Sequence, residues 1–315
     1  MVANAQNHDR FNQKHLIELH RRGLLPTLPL ELGPMPFFGE GPQLWEDLLR
    51  WRVVDGTTGQ LCVEAKELFA GVVEYDWATW GIVLLYNQRR EVEFDIPDEF
   101  TRYGLQYAVR DIPRVTFLIG VRDGHITTAV LTNGQLQIGR DPFLRNREDD
   151  IDRQIGSILM KILDPEQRWA PYPMPKISIP APHSGAAALS SYRTSDADER
   201  REGRAAVSAG LADRGISPSS RRVIDELLSQ DNVANAQITV TRRTAVGKKT
   251  SKENGGGIMF FGGAKTGVVT SYPVKSADNK PWVTYEPGTP ESVGNAIAAL
   301  REGVDTADAE DIVLR

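Results

Sequence analysis

The residues from Gly255 to Thr266, Gly-Gly-Gly-Ile-Met-Phe-Phe-Gly-Gly-Ala-Lys-Thr, hold the spacing closest to a chemical motif in this chain. Glycines followed by Lys-Thr end a phosphate-cradling loop, where backbone N–H groups converge on the anion and the lysine meets the terminal phosphate. The details disagree with that chemistry. Ala264 replaces the glycine before the lysine, and Met259 stands where the first glycine belongs. The run Thr266 to Val274 reads as a strand, so no helix N-terminus would face a phosphate. The segment reads instead as a strand flanked by a flexible loop and a hairpin turn.

Other reactive residue types are scattered. His8, His15 and His20 lie in a polar N-terminal segment, His125 begins a strand and His183 sits in a linker, with no HExxH and no GxSxG elbow. Glu148, Asp149, Asp150 and Asp152 crowd the first turns of a helix, where they complement the macrodipole; a metal role would need further ligands. Cys62 is the single cysteine, which excludes an internal disulfide framework and leaves no Cys/His zinc cluster. Arg242, Arg243, Lys248, Lys249 and Lys252 form a basic loop that reads as a solvated hairpin connection, although such a loop can steer an acidic partner. Local spacing therefore assigns no catalytic residue, no metal and no cofactor. A site assembled by the fold from distant His, Asp and Ser stays open as the enzyme alternative.

The elements that would position any site come twice. In the second half a helix from Pro218 to Gln230, with Ser217 as its cap and Val223, Ile224, Leu227 and Leu228 on one face, precedes a strand from Gln237 to Arg243. A Gly/Lys-rich loop leads to strands at Ile258 to Phe261, Thr266 to Val274 and Trp282 to Tyr285. Thr289 and Pro290 then open a helix with Val293, Ile297 and Leu300 on one face. The first half has a helix from Leu61 to Val73, a strand from Trp77 to Tyr86 and a long connection, followed by strands at Val115 to Val121, His125 to Leu131 and Gln135 to Ile138. Asp123-Gly124 and Asn133-Gly134 supply the positive φ that tight antiparallel turns require. Asp141 and Pro142 are expected to open the closing helix, whose apolar side is Ile151, Ile155, Ile158, Leu159 and Ile162.

The expected fold class is α+β, with a central antiparallel sheet flanked by helical bundles and two quasi-twofold halves. The expected division is an N-terminal arm at 1–43, extended and Pro-rich after a frayed start; a first αβ half at 44–163; a connector and linker at 164–216; a second half at 217–304; and a mobile acidic tail at 305–315. Within the first half, Leu44 to Trp51 reads as a short helix, and Trp77, Trp80, Ile82, Leu84 and Tyr86 read mostly as core. Asn87 to Thr101 carries Val92, Phe94 and Ile96 between charges, an apolar set on a segment too long for a simple turn. Such a loop is tucked onto the body or reserved for a partner.

Composition sets the remaining bounds. The chain has 315 residues, 40% apolar and 25% charged, an ordinary globular balance. Its net charge of −5 disfavours nucleic acid as a partner. The polar start from Met1 to His20 lacks the apolar core of a signal peptide, and no apolar run reaches a membrane span, so a cytoplasmic location and no membrane insertion are expected.

The layout resembles the EspG family, the secretion-associated proteins of type VII (ESX) secretion in actinobacteria. The resemblance is closest in Thr266 to Thr270, Lys280 to Thr289 and Val293 to Leu300, and extends to Val115 to Gly124 and Lys176 to Pro180. It implies a chaperone-like binding protein without catalysis, which holds the helical tip of a PE/PPE-type substrate, keeps it soluble and delivers it for export. It also implies a contact surface made of the central sheet, a long early loop and the C-terminal helix. On this chain those map to Arg89, Arg90, Val92, Phe94 and Ile96; to Ile258, Phe260, Val268, Thr270 and Tyr272; and to Val293 and Ile297. A scaffold that keeps the fold without a client is the other alternative to a chaperone. The loops of the two halves, Asn87 to Pro113 and Thr244 to Gly257, differ most and are expected to decide which side meets the client.

Overall fold

The computed structural model describes residues 10–33, 42–88, 90–92, 109–145, 147–181, 196–230, 232–243, 249–251, 255–263, 265–275 and 280–313. The chain begins with α1 (Gln13–Arg21), a 3-10 turn at Leu30–Leu32, α2 (Pro42–Arg50) and α3 (Val63–Val73). Strands β1 (Trp77–Leu84), β2 (Arg90–Val92), β3 (Val109–Asp111), β4 (Arg114–Arg122), β5 (His125–Thr132) and β6 (Gln135–Pro142) lead to α4 (Glu148–Leu163). After β7 (Ile177–Pro180) come α5 (Ala197–Ala212), α6 (Pro218–Ser229), β8 (Asn232–Arg243), β9 (Lys249–Ser251), β10 (Gly256–Gly262), β11 (Thr266–Lys275), β12 (Pro281–Pro287) and α7 (Pro290–Val313).

Ten strands form one antiparallel sheet in the order β6-β5-β4-β1-β8-β10-β11-β12-β7, with β9 also paired to β8. The repeat in the sequence is the repeat in space. Strand β1 with β4, β5 and β6 mirrors β8 with β10, β11 and β12 across a seam where β1 meets β8, Trp80 opposite Thr239 and Ile82 opposite Gln237. Both Asx-Gly hairpin turns form as expected, with positive φ at Asp123, Gly124, Asn133 and Gly134.

The two sheet faces are covered differently. On one, α4 and α7 lie side by side, and Ile151, Ile155, Leu159, Val293, Ile297 and Leu300 pack on Phe117, Ile119, Ile126, Ile238, Ile258 and Phe260. The helices cross closely: a Cβ on Gly156 would stand 2.2 Å from the Pro290 carbonyl oxygen. On the other face α1, α2 and α3 cover the first half through Leu16, Leu48, Phe69, Leu118 and Ala129. Helices α5 and α6 cover the second through Leu211, Ile224, Leu227, Phe261 and Val269. Each core is worth roughly 25 cal/mol per Å² of apolar surface removed from water.

Three expectations need correction. Residues 13–21, read as a frayed start, form a helix, because Asn12 caps it and Leu16 and Leu19 bury one face against α2. Asp141 and Pro142 end β6, and α4 starts at Glu148 without a side-chain cap, so acidic residues in its first turn replace a cap. Thr289 does cap α7, its Oγ1 accepting from Ser292 N at 3.0 Å. That helix runs through Asp305 to Val313 where a mobile tail was expected, and Arg242 pairs with Asp305.

Burial makes α1 sensitive to acid. His15 lies between the Phe11 and Trp51 rings, 5.2 and 5.1 Å away, with Nε2 3.6 Å from Asp47 Oδ2. Burial dominates and holds the imidazole below its ordinary 6.5, against the raising pull of Asp47. A base depressed on folding gives stability that is full above the unfolded value and lost as pH falls through the folded one. The amides of α1 are therefore expected to exchange faster at about pH 5 than at about pH 8, relative to those of α7. An α1:α7 exchange ratio that does not change with pH would contradict this.

Candidate functional site

Between the two bundles the sheet carries a row of half-exposed side chains. On the bundle face, alternation along the strands brings up Ile82 and Leu84 from β1, Asn235, Gln237 and Thr239 from β8, Gly257 and Met259 from β10, and Ser271 from β11. Cross-strand register aligns them. Ile82 pairs with Gln237, Gln237 with Gly257 and Gly257 with Ser271, while Leu84 pairs with Asn235 and Asn235 with Met259. Gln237 is exposed and the rest are half-buried. The result is a mixed strip, apolar at Ile82, Leu84 and Met259 and hydrogen-bonding at Asn235, Gln237, Thr239 and Ser271.

The walls of the strip are fixed. On one side the 3-10 turn packs on β1, β4 and β5, and Thr116 Oγ1 donates to the Leu32 carbonyl at 2.9 Å. On the other, Met259 packs, as do Val223 and Leu228 of α6, against the buried cluster that holds Ile224, Leu227, Phe261 and Val269. The Gly-rich segment serves this wall. It supplies the paired strands β10 and β11, and Lys265 Nζ bonds Glu226 of α6 at 2.7 Å, which raises the lysine pKa. Glu226 also accepts from Tyr172 Oη at 2.8 Å, and its own pKa is lowered chiefly by Lys265. The lysine of the apparent phosphate motif is thus spent on holding a hairpin to a helix.

A second concavity, of about 820 Å³, lies where α3 meets the ends of β4 to β6 and is lined by Leu25, Phe69, Val73, His125 and Thr127. Ion pairs Arg122–Glu74 and Arg140–Glu67 cross its rim, and His125 Nδ1 faces the Asp123 carbonyl oxygen at 2.8 Å. Among the described residues, no serine or cysteine lines it beside that histidine. Among the described residues no group of His, Cys, Asp and Glu is placed to hold a metal ion, and no helix is long and apolar enough to cross a membrane.

The sequence profile of the EspG family matches residues 84–299, more than half of the chain. The chain belongs to the EspG family. A solved structure with an EspG fold, that of the Mycobacterium tuberculosis type VII secretion system chaperone EspG5 in complex with a PE25–PPE41 dimer, aligns over 93% of this chain and 95% of that one. The TM-score is 0.64 and the identity 15%, so the likeness is one of fold. No curated protein sequence matches the chain.

Within this EspG fold the residues expected at the contact surface fall in two groups. Ile258, Phe260, Val268, Thr270, Tyr272, Val293 and Ile297 are all buried, and this corrects their placement at a surface. Even-numbered positions of β10 and β11 face α7: Thr270 Oγ1 meets Ser292 Oγ at 3.0 Å, and Ile258, Phe260 and Val268 pack with Val293 and Ile297. Tyr272 Oη donates to Glu286 at 2.9 Å. The opposite parity faces the other side of the sheet, where Gly257, Met259 and Ser271 lie in the strip and Phe261 and Val269 are buried under α5 and α6. Arg89, Phe94 and Ile96 lie outside the described residues. Arg90 and Val92 lie in β2, paired with Asp111 and Val109 of β3. Sequence reasoning missed Gln237 and Met259 and read Ile82 and Leu84 as core. The signal was present in the polar residues Asn235, Gln237 and Thr239 alternating through a strand at the centre of the sheet.

Proposed function

We propose that this chain is a chaperone of type VII secretion that binds the helical tip of a PE/PPE-type heterodimer on the strip between its two bundles. It acts in the cytoplasm, keeps the pair soluble and delivers it for export without catalysing a reaction. Membership of the EspG family is the observation that carries this reading. The shared fold of a chaperone solved with a PE–PPE dimer supports it.

The physical logic follows from the strip. A helical tip with an apolar end aggregates unless a partner covers it, and binding to the folded pair alone stabilises that pair by mass action. A stable complex buries roughly 800 Å² on each side. A floor four strands wide with walls on both sides offers a surface of that kind. Apolar side chains on β1 and β10, with the amides of β8 between them, allow both area and hydrogen-bond register.

Co-expression with the PE–PPE pairs of its own genome is expected to give a soluble one-to-one-to-one complex by size-exclusion chromatography. If no pair co-purifies, the reading is lost.

A further inference from the structure

We infer that Leu30 is an anchor of the client-binding surface, an apolar knob held ready on the rim of the strip; this rests on the function proposed above. Among the described residues three large apolar side chains are strongly exposed, Leu30 at 68%, Val63 at 71% and Leu144 at 80%. Val63 lines the concavity beside α3, and the Leu144 N–H donates to Gln154 of α4, on the opposite face of the sheet. Leu30 stands apart from both.

Its neighbours set its place. Leu32 is buried in the core, and its carbonyl accepts from Thr116, the residue that lies across β4 from Ile82. The turn therefore sits beside the row Ile82, Gln237, Gly257. Glu31 is also buried, its carboxylate accepting from Tyr75 Oη at 2.5 Å. Burial, and then Glu31 itself, push the tyrosine far above its ordinary value, so the hydroxyl keeps its proton and keeps donating.

These bonds lock both residues that follow Leu30 and leave Leu30 facing water. Taking a carboxylate out of water is unfavourable unless a partner compensates, and here that cost is spent on fixing a three-residue turn. A turn fixed in advance loses little freedom when its apolar side chain is covered, which is what an interface anchor requires. The occupant Leu30 fits is the apolar helical tip assigned to the strip.

The probe is the PE–PPE pair that co-purifies with the unaltered chain. Leu30→Glu is expected to weaken binding by about tenfold or more in titration calorimetry, Leu30→Ala by less, and Leu30→Met hardly at all. Melting temperatures should stay level, because the side chain is exposed. Gln237→Arg, in the floor, separates this inference from the reading beneath it. If Gln237→Arg loses binding while Leu30→Glu stays within about twofold, the role of Leu30 is overturned and the strip stands. If both stay within that range the strip itself falls, and Leu30 with it. Capture of no pair ends both.

Discussion

Gly81→Ala is expected to lower stability by at least about 3 kcal/mol, the upper end of overpacking, and to sharply reduce the yield of folded protein. Gly81 lies in β1, opposite Phe117 of β4 and Ile238 of β8. A methyl group there would stand 1.8 Å from the Gln237 carbonyl oxygen and 2.9 Å from Phe117 Cζ. The ring can rotate away. The carbonyl belongs to the strand that joins the two halves and cannot move without opening the seam between β1 and β8. Gly139, in the edge strand β6, has nothing within 4 Å of the same methyl, so Gly139→Ala is the control and should stay within about 0.5 kcal/mol. Urea midpoints decide the matter. Equal midpoints for the two variants would show that the seam tolerates separation.

The seam also explains why the strip lies where it does. Each half covers its own outer strands on the bundle face, α1 to α3 over one and α5 with α6 over the other. Helices α4 and α7 pair with each other on the opposite face and cover both halves there. Strands nearest the pseudo-twofold axis are thus covered on one side and half-exposed on the other. A duplicated αβ unit closed by its own last helices leaves such a strip as a consequence of its construction.

Local signals carried the fold. Asx-Gly turns at 123–124 and 133–134, the Thr289-Pro290 helix start and the apolar stripe Val293, Ile297, Leu300 each specify backbone geometry within a few residues, and each formed. Asp141-Pro142 misled because a proline is tolerated in an edge strand such as β6 as well as in a first helical turn. The site was harder. Alternation in β10 and β11 divides residues between two faces but does not say which face is covered, since that depends on where α7 and α6 arrive from elsewhere in the chain. Val269 and Phe261 are as apolar as Val268 and Phe260, and both sets are buried, under different helices. Leu30 had no periodic signal at all. Its rigidity comes from Tyr75 and Thr116, far along the sequence.

Arg301→Met is expected to cost about 3–5 kcal/mol near neutral pH, and the loss should shrink on acidification. Arg301 projects from α7 to α4, with Nη2 2.8 Å from Asp152 Oδ2, Nη1 3.1 Å from Glu148 Oε2 and its guanidinium 5.2 Å from the Trp77 ring. The Asp152 side chain is only 3% exposed, so removing the arginine leaves a carboxylate buried without its counter-ion. Burial already holds the Asp152 carboxyl above its ordinary 3.8, against the lowering pull of Arg301, and the variant loses that pull. A group raised on folding contributes stability that is full below the unfolded value and lost as pH rises through the folded one. The variant should therefore recover toward the unaltered chain as the solution is taken from about pH 7 to about pH 4, where the carboxyl takes a proton. Combining it with Asp152→Leu should return most of the loss at neutral pH, because neither charge then remains at the helix crossing. A penalty that stays constant with pH, or a double variant as unstable as the sum of the two single ones, would show that Arg301 holds α7 by packing on Trp77 and not through its charge.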